Sequence, residues 1–442
     1  MRTAEQNMTI FALASGSGKA GIAVFRVSGP NALSAYTALS TKPAPKPRQV
    51  MRTKLYHPKS GELLDDGLAI YFARPASFTG EDVIELHVHG GLSVVAGLSE
   101  ALNSIDGVRL AEAGEFTRRA FDNDKLDLTA AEGLADLINA ETAAQRRQAQ
   151  RQLRGELGVI YNDWRERLIN AIALFEAEID FSDEDLPSGL KETVYDEILR
   201  INREIINHLD DKNQGEIIRN GLYIAIIGPP NAGKSSLLNR LSKREVAIVS
   251  EKAGTTRDVI EVHLELNGYP VIIADTAGLR ESEDEIELEG VRRAEEHAAQ
   301  ADFKLVVFDG QFWPRKDPKT NRLIDENTII VVNKSDLIKD NETCYLTISS
   351  LTGDGIDDLL GALEKEVSLR CGGGTSPALT RTRHRNALTE CQMCLERFQA
   401  IPDVELKAED LRLAARALGR ITGQVDVEEV LDIIFGEFCI GK

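Results

Sequence analysis

The stretch "LYIAIIGPPNAGKS", residues 222 to 235, narrows the possible fold more than any other part of this chain. Residues 228 to 235 match GxxxxGK[ST] in full, after an apolar strand-like run and at the start of a helix-like one, which is the context the motif requires. Its glycines let backbone N–H groups wrap phosphates at a helix N-terminus, Lys234 reaches the β- and γ-phosphates, and Ser235 offers a hydroxyl to Mg2+. Such a loop needs a sheet with helical crossovers around it.

The neighbouring sequence has that grammar. "PVIIADTAG", "FKLVVFDG", "NTIIVVNKSD" and "CYLTISS" are buried-strand runs alternating with helices, which predicts a doubly wound, mostly parallel sheet within residues 214–378. "VIEVHLELNG" alternates apolar and polar residues up to an Asn-Gly turn, so one antiparallel edge strand is expected. "CGGGTSP" closes the region as a linker. Residues 1–119 mix short strand-like and helical runs ("GIAVFRVSG", "NALSAYTALS", "DVIELHVHGG"), the pattern of a small α+β domain. From 120 to 213 the strand signals vanish, and Leu168, Ile172, Phe175 and Ile179 recur at steps of four, three and four, one stripe of a helix. Residues 379–442 are helical again. A discontinuous helical bundle domain, 120–213 with 379–442, carrying an inserted α/β domain is the economical reading, because two separate small bundles would have thin cores. The chain is therefore read as multidomain α/β plus α.

Composition limits the partners. A net charge of −19 argues against indiscriminate nucleic-acid binding, and residues 1–119 hold 13 Lys/Arg against 11 Asp/Glu, so any RNA contact must use local patches. No apolar stretch approaches the roughly 20 residues that cross a bilayer, and the N-terminus lacks a signal-peptide pattern, so a cytoplasmic protein without a membrane partner is expected. Five scattered cysteines make no disulfide framework, and Cys391 and Cys394 form a CxxC without the further ligands a zinc site needs.

"NKSD", Asn333, Lys334, Ser335 and Asp336, follows a buried strand and selects the base: Asp336 accepts both edge N–H groups of guanine, a pattern adenine does not present. GTP is the expected nucleotide, with Ser349 and Ser350 placing a backbone N–H at the guanine oxygen. Asn231, Ala232, Gly233, Lys234, Ser235 and Ser236 form the phosphate loop. Ser250, Glu251, Lys252, Ala253, Gly254, Thr255 and Thr256 form a first switch, in which Thr256 senses Mg2+ and the γ-phosphate; Asp275, Thr276, Ala277 and Gly278 form the second, in which Asp275 holds the metal's water shell. Leu279 then stands where Ras-like enzymes carry a water-orienting glutamine. Asn231, as ligand of a second cation, and Glu287, as the group that positions water, are candidates to replace it, although they also read as a loop cap and a solvated helix start. Glu85, His87 and His89 share one strand face and also read as a metal triad.

"GPPNAGKSSLLN", "AGTTRDV", "DTAGLRE", "DFSDED" and the terminal "FCIGK", with "SFTGEDVIELHVHGG" and "AGEFTRRAFDNDKLDL", closely resemble the MnmE (TrmE) family of tRNA-modification GTPases over the whole chain. The resemblance implies an N-terminal domain that binds a tetrahydrofolate derivative (5,10-methylene- or 5-formyl-tetrahydrofolate) and forms a homodimer, and an inserted Ras-like P-loop GTPase domain. It implies a partner similar to MnmG, which alone carries FAD, and the formation of a 5-aminomethyl or 5-carboxymethylaminomethyl group on the wobble uridine of certain tRNAs. GTP hydrolysis would start when two GTPase domains meet around K+, coordinated by Asn231, Ser250, Lys252 and Thr255, with Glu287 orienting the water and Ser235 and Thr256 on Mg2+. Arg26, Glu85, Lys125 and Lys442 match folate-contacting positions, which favours pterin contact over a metal at Glu85. Cys439 matches a cysteine with a suspected chemical role. Pro229 and Ser350 depart from the family pattern without removing a group the chemistry requires. The competing reading is a regulatory GTPase of the ribosome-assembly type, whose flanking domains only bind RNA or protein.

Overall fold

The computed structural model describes residues 8–180, 190–211, 213–244, 246–248, 260–275, 299, 301–338, 343–372, 378–425, 428–436, 438 and 440–441. The chain divides into two compact units, Met1–Ala135 with Gln152–Glu166 and Arg416–Lys442, and Asp136–Arg151 with Arg167–Ala415. Among the described residues no helix is long and apolar enough to cross a membrane.

The first unit is built on a six-stranded sheet: β1 (Thr9–Leu13), β2 (Ala20–Ser28), β3 (Val50–Tyr56), β4 (Leu63–Phe72), β5 (Val83–Gly90) and β6 (Val108–Leu110), in the order β3-β4-β5-β2-β1-β6. All neighbours run antiparallel except β1 and β6. Alternation along the strands sorts the side chains by face. Phe25, Val27, Ile84 and Leu86 join Phe11, Tyr36, Leu98 and Leu102 in one core, where the helices Ala32–Leu39 and Leu92–Asn103 cover the sheet. Each fully buried side chain of this size contributes about 1.5–3 kcal/mol. The same period turns Arg26 of β2 and Glu85 of β5 to the opposite face, where they are register partners. That face also carries Ile10 and Ala12, packed with Ala111 and Phe116. Leu128, Ala131, Leu431, Ile434, Phe435 and Phe438 form a separate helical core.

The second unit contains the doubly wound sheet: β7 (Leu222–Ile227), β8 (Ile260–Leu266), β9 (Tyr269–Asp275), β10 (Phe303–Asp309), β11 (Thr328–Asn333) and β12 (Leu346–Thr347), in the order β12-β11-β10-β7-β9-β8. Five strands are parallel, and β8 pairs antiparallel with β9 across Asn267–Gly268, as the alternating run ending in Asn-Gly predicts. The order reverses at β7, so its carboxyl end opens into the crevice where ligands of such sheets bind. On the helical side, Val194, Ile198, Ile201 and Ile205 are buried at helical spacing, and the Phe175 and Phe398 rings meet edge-on at 5.5 Å. The stripe predicted through Leu168 and Phe175 is present, with both buried, but between them Ala171 is buried while Ile172 is only half-buried. The Ile179 side chain lies outside the described residues.

Candidate guanine-nucleotide site

β7 delivers the chain into the phosphate loop, and the helix Lys234–Leu241 leaves it. Gly233 has φ +92° and approaches Asn333 so closely that an added Cβ would sit 2.2 Å from its amide nitrogen. Only glycine satisfies both conditions. Lys234 is buried, and its ammonium donates to the carbonyls of Gly228 (2.8 Å) and Pro229 (3.0 Å). Burial lowers its pKa, partly opposed by Asp275. A buried cation held by two backbone carbonyls can exchange them for phosphate oxygens, which restore the solvation it has lost. Asn231, in the left-handed region at φ 61°, and Ser236 are exposed on the same loop.

Ser235 Oγ donates to Asp275 Oδ2 at 2.7 Å, and Asp275 at the end of β9 is 1% exposed. A hydroxyl and a carboxylate beside the phosphate loop form the hard oxygen set that Mg2+ prefers, so these residues fit the ion. When bound, Mg2+ would neutralise charge on the phosphates. Ser235 would offer it a direct oxygen, and Asp275 would orient its water shell.

The base side is tied to the phosphate side by one side chain. Asn333, at the end of β11, donates through Nδ2 to Ala232 O (2.8 Å), and its Oδ1 accepts from Ser350 N and Ser350 Oγ (both 3.0 Å). Ser349 Oγ donates to Asp336 Oδ1 at 2.5 Å, which fixes the Asp336 carboxylate while the residue remains exposed towards solvent. Ser335 N donates to Ile348 O at 2.9 Å. Lys334, at φ 64°, pairs with Asp309 Oδ2 at 2.6 Å. Asp309 was not anticipated. It ends β10 in register with Asn333, and an acid at the carboxyl end of a central parallel strand is the signal that marks it. Arg240 was missed too: it donates to the carbonyls of Ser350 and Leu351, holding the base loop from behind.

The structure thus brings together Lys234, Ser235 and Asp275, and, through Ala232, also Asn333, Asp336, Ser349 and Ser350. The assignments at Ser250, Glu251, Lys252, Ala253, Gly254, Thr255, Thr256, Thr276, Ala277, Gly278 and Glu287, with Leu279, lie outside the described residues.

In the first unit, Arg26 Nε and Nη2 both donate to Glu85 Oε1, at 3.0 and 2.9 Å. The guanidinium lies 5.4 Å from the Phe78 ring and 5.8 Å from Phe116. With cation–π contacts worth about 0.5–2 kcal/mol each, this arginine is held in place and does not wave free as a surface residue. Lys125 is exposed beside Gly80, two residues from Phe78. His87 Nε2 lies 3.7 Å from Glu85, whereas His89 bonds Asp65, and among the described residues no His/Cys/Asp/Glu group has metal-site geometry. Cys391 and Cys394 are buried, and burial pushes both thiols up. Cys439 and Lys442 lie outside the described residues. Their neighbours are placed: Ile440 bridges antiparallel to Ala113, and Gly441, at φ +105°, lies against the Leu13 carbonyl, where an added Cβ would come within 2.2 Å.

A doubly wound sheet with a phosphate loop on β7 and an Asn-Lys-Ser-Asp base loop after β11 defines a P-loop GTPase. The family model described as the MnmE helical domain matches residues 128–439, and that of the GTP-binding protein TrmE N-terminus matches residues 9–125. The chain is 56% identical over 440 residues to the tRNA modification GTPase MnmE of Paramagnetospirillum magneticum, covering 98% of this chain and 99% of the relative. It is 53% identical to the MnmE of Parvibaculum lavamentivorans, covering 98% and 100%. Among solved structures, an Aquifex aeolicus Era protein bound to GDP.AlF4- aligns at 25% identity and TM-score 0.27, over 41% of this chain and 68% of that one. The chain belongs to the MnmE family of tRNA modification GTPases.

Proposed function

We propose that this protein is a K+-activated GTP hydrolase whose two GTPase domains meet in a homodimer. With an FAD-carrying partner similar to MnmG, it uses a tetrahydrofolate one-carbon unit to build the 5-aminomethyl or 5-carboxymethylaminomethyl group on the wobble uridine of certain tRNAs. In this reading residues 1–119 bind folate and dimerise, 120–213 and 379–442 form the helical domain, 214–378 form the GTPase domain, and the work is done in the cytoplasm. The observation that carries it is the crevice at β7, where a buried lysine, a hydroxyl–carboxylate pair and a guanine-reading aspartate converge.

GTP binds with its phosphates around Lys234 and its base on Asp336. Leu279 supplies no polar group to orient water, so the charge and alignment that phosphoryl transfer demands fall to Asn231, Ser250, Lys252 and Thr255 around K+ and to Glu287 on the water. Arg26, Glu85, Lys125 and Lys442 receive the folate, and the fixed, stacked guanidinium of Arg26 supports that assignment with a planar surface suited to a heterocycle. Cys439 takes part in the modification chemistry.

The test is reconstitution with the MnmG-like partner, unmodified tRNA, 5,10-methylene-tetrahydrofolate as the carbon source, ammonium or glycine as the nitrogen source, GTP, Mg2+ and K+, with the product nucleoside read by mass spectrometry. A modified wobble uridine is expected. GTP turnover without any modified nucleoside would leave the regulatory GTPase reading in its place. In the same system K+ should raise turnover well above Na+, and Glu287→Ala should abolish turnover while sparing GTP binding. Equal rates in both salts would remove K+ from the mechanism.

A further inference from the structure

The net charge of −19 leaves open how this chain touches RNA, and one helix stands out against it. Residues 142 to 155, "TAAQRRQAQRQLRG", contain four arginines and no acid. In the helix Ala143–Leu153, Ala144, Gln148 and Ala149 are buried, while Arg146, Arg147 and Gln150 are exposed and Arg151 is half-buried. At 100° per residue, Arg146, Gln150, Arg147 and Arg151 fall within an arc of about 140°, a single face. Several arginines elsewhere in the same unit are matched to acids: Arg167 to Glu197 and Glu204, Arg219 and Arg381 to Asp136, Arg385 to Asp211 and Glu216, Arg412 to Glu176. Among the described residues no carboxylate pairs with Arg146 or Arg147.

Arg147 and Arg151 lie one turn apart, and like charges at that spacing repel by about tenths of a kcal/mol per pair, a small folding cost. An arginine fork without a carboxylate is the group best shaped to take a phosphate through two parallel hydrogen bonds. The helix is also anchored. Ala144 N donates to Gly268 O in the β8–β9 turn (3.0 Å), and Gln145 Nε2 to Arg219 O (3.1 Å), so the arginines ride on the unit that holds the nucleotide.

We propose that the Arg146–Arg147–Arg151 face is a contact for the RNA phosphate backbone, through which an acidic chain holds its tRNA. This rests on the tRNA-modification reading. The experiment uses the full chain and an unmodified tRNA transcript with uridine at the wobble position, titrated between about 50 and about 200 mM salt. The pair Arg146→Gln and Arg147→Gln should bind about tenfold more weakly at the low end, with a log–log salt slope shallower by about 1.5, because each lost cation removes about 0.7–0.9. Replacing both by lysine should restore affinity and slope, and GTP turnover without tRNA should be the same in every variant. Unchanged affinity and slope in the glutamine pair would overturn the proposal, as would lost affinity at unchanged slope. Tighter binding to phosphatidylglycerol vesicles than to tRNA would assign the face to a membrane and overturn it equally. A wild-type chain that modifies tRNA, with a glutamine pair that modifies it at the same KM, sinks this inference alone; a wild type that neither binds nor modifies tRNA sinks the reading beneath it.

Discussion

Asn333 donates to the phosphate loop and accepts from the base loop with one buried amide, so both ends of the nucleotide are read against a common reference. Asn333→Ala leaves the Ala232 carbonyl and the Ser350 N–H without their partner. A loss of about 2–3 kcal/mol in urea unfolding, with GTP affinity down at least tenfold, is expected; a variant as stable and as tight as wild type would remove Asn333 from this role. Asp336→Asn replaces an acceptor by a group that can donate, so competition titration should show preference moving from GTP towards xanthosine triphosphate. At this scale the sequence was readable wherever the chemistry is local: Lys234, Ser235, Asn333 and Asp336 stand in contiguous motifs. Asp309 and Arg240 do not, because their partners come from other strands and loops. Phe78 and Phe116 likewise gave no sign of bracketing Arg26, since nothing local to either residue points to a guanidinium brought from another strand.

Among the elements, the β8–β9 hairpin was foreseeable from its alternation and its turn, while the short strands β1 and β3 have no comparable pattern. β6 is a further case: three residues joined to the helix Glu115–Asp122 by side chains. Arg109 holds Glu115 at 2.7 and 2.8 Å, and Arg119, nearly buried, bridges Glu115, Glu81 and the Met8 carbonyl. Burial works against the ionised Glu115, but Arg109, the Glu112 N–H and Arg119 outweigh it and hold its pKa below the ordinary carboxylate value. A depressed folded pKa means a stabilisation present above the unfolded value, about 4.3, and lost as pH falls through the folded one. Glu115→Gln should therefore melt lower than wild type at neutral pH but change less on acidification below about pH 4.3. Parallel melting curves across that window would show that the pair contributes nothing.

For the whole chain, the docking of residues 440–441 on Leu13 and Ala113 joins segments hundreds of residues apart in sequence. Gly441→Val meets both an unfavourable φ and the Leu13 carbonyl, so the tail should detach. The expected outcome is weaker 5-formyl-tetrahydrofolate binding with GTP turnover intact; unchanged folate binding would make the tail dispensable for that site. Net charge, by contrast, misleads at this scale, because −19 averages away the arginine-rich, acid-free helix around Arg146 and Arg147. The tail also has a consequence for synthesis. A ribosome delivers Leu13 and Ala113 hundreds of residues before Ile440 and Gly441, so an early part of the protein waits for a late one before this seam closes. A chain without these two residues would carry its defect at the end of β1, with the Leu13 carbonyl and Ala113 uncovered, far from the missing residues in sequence.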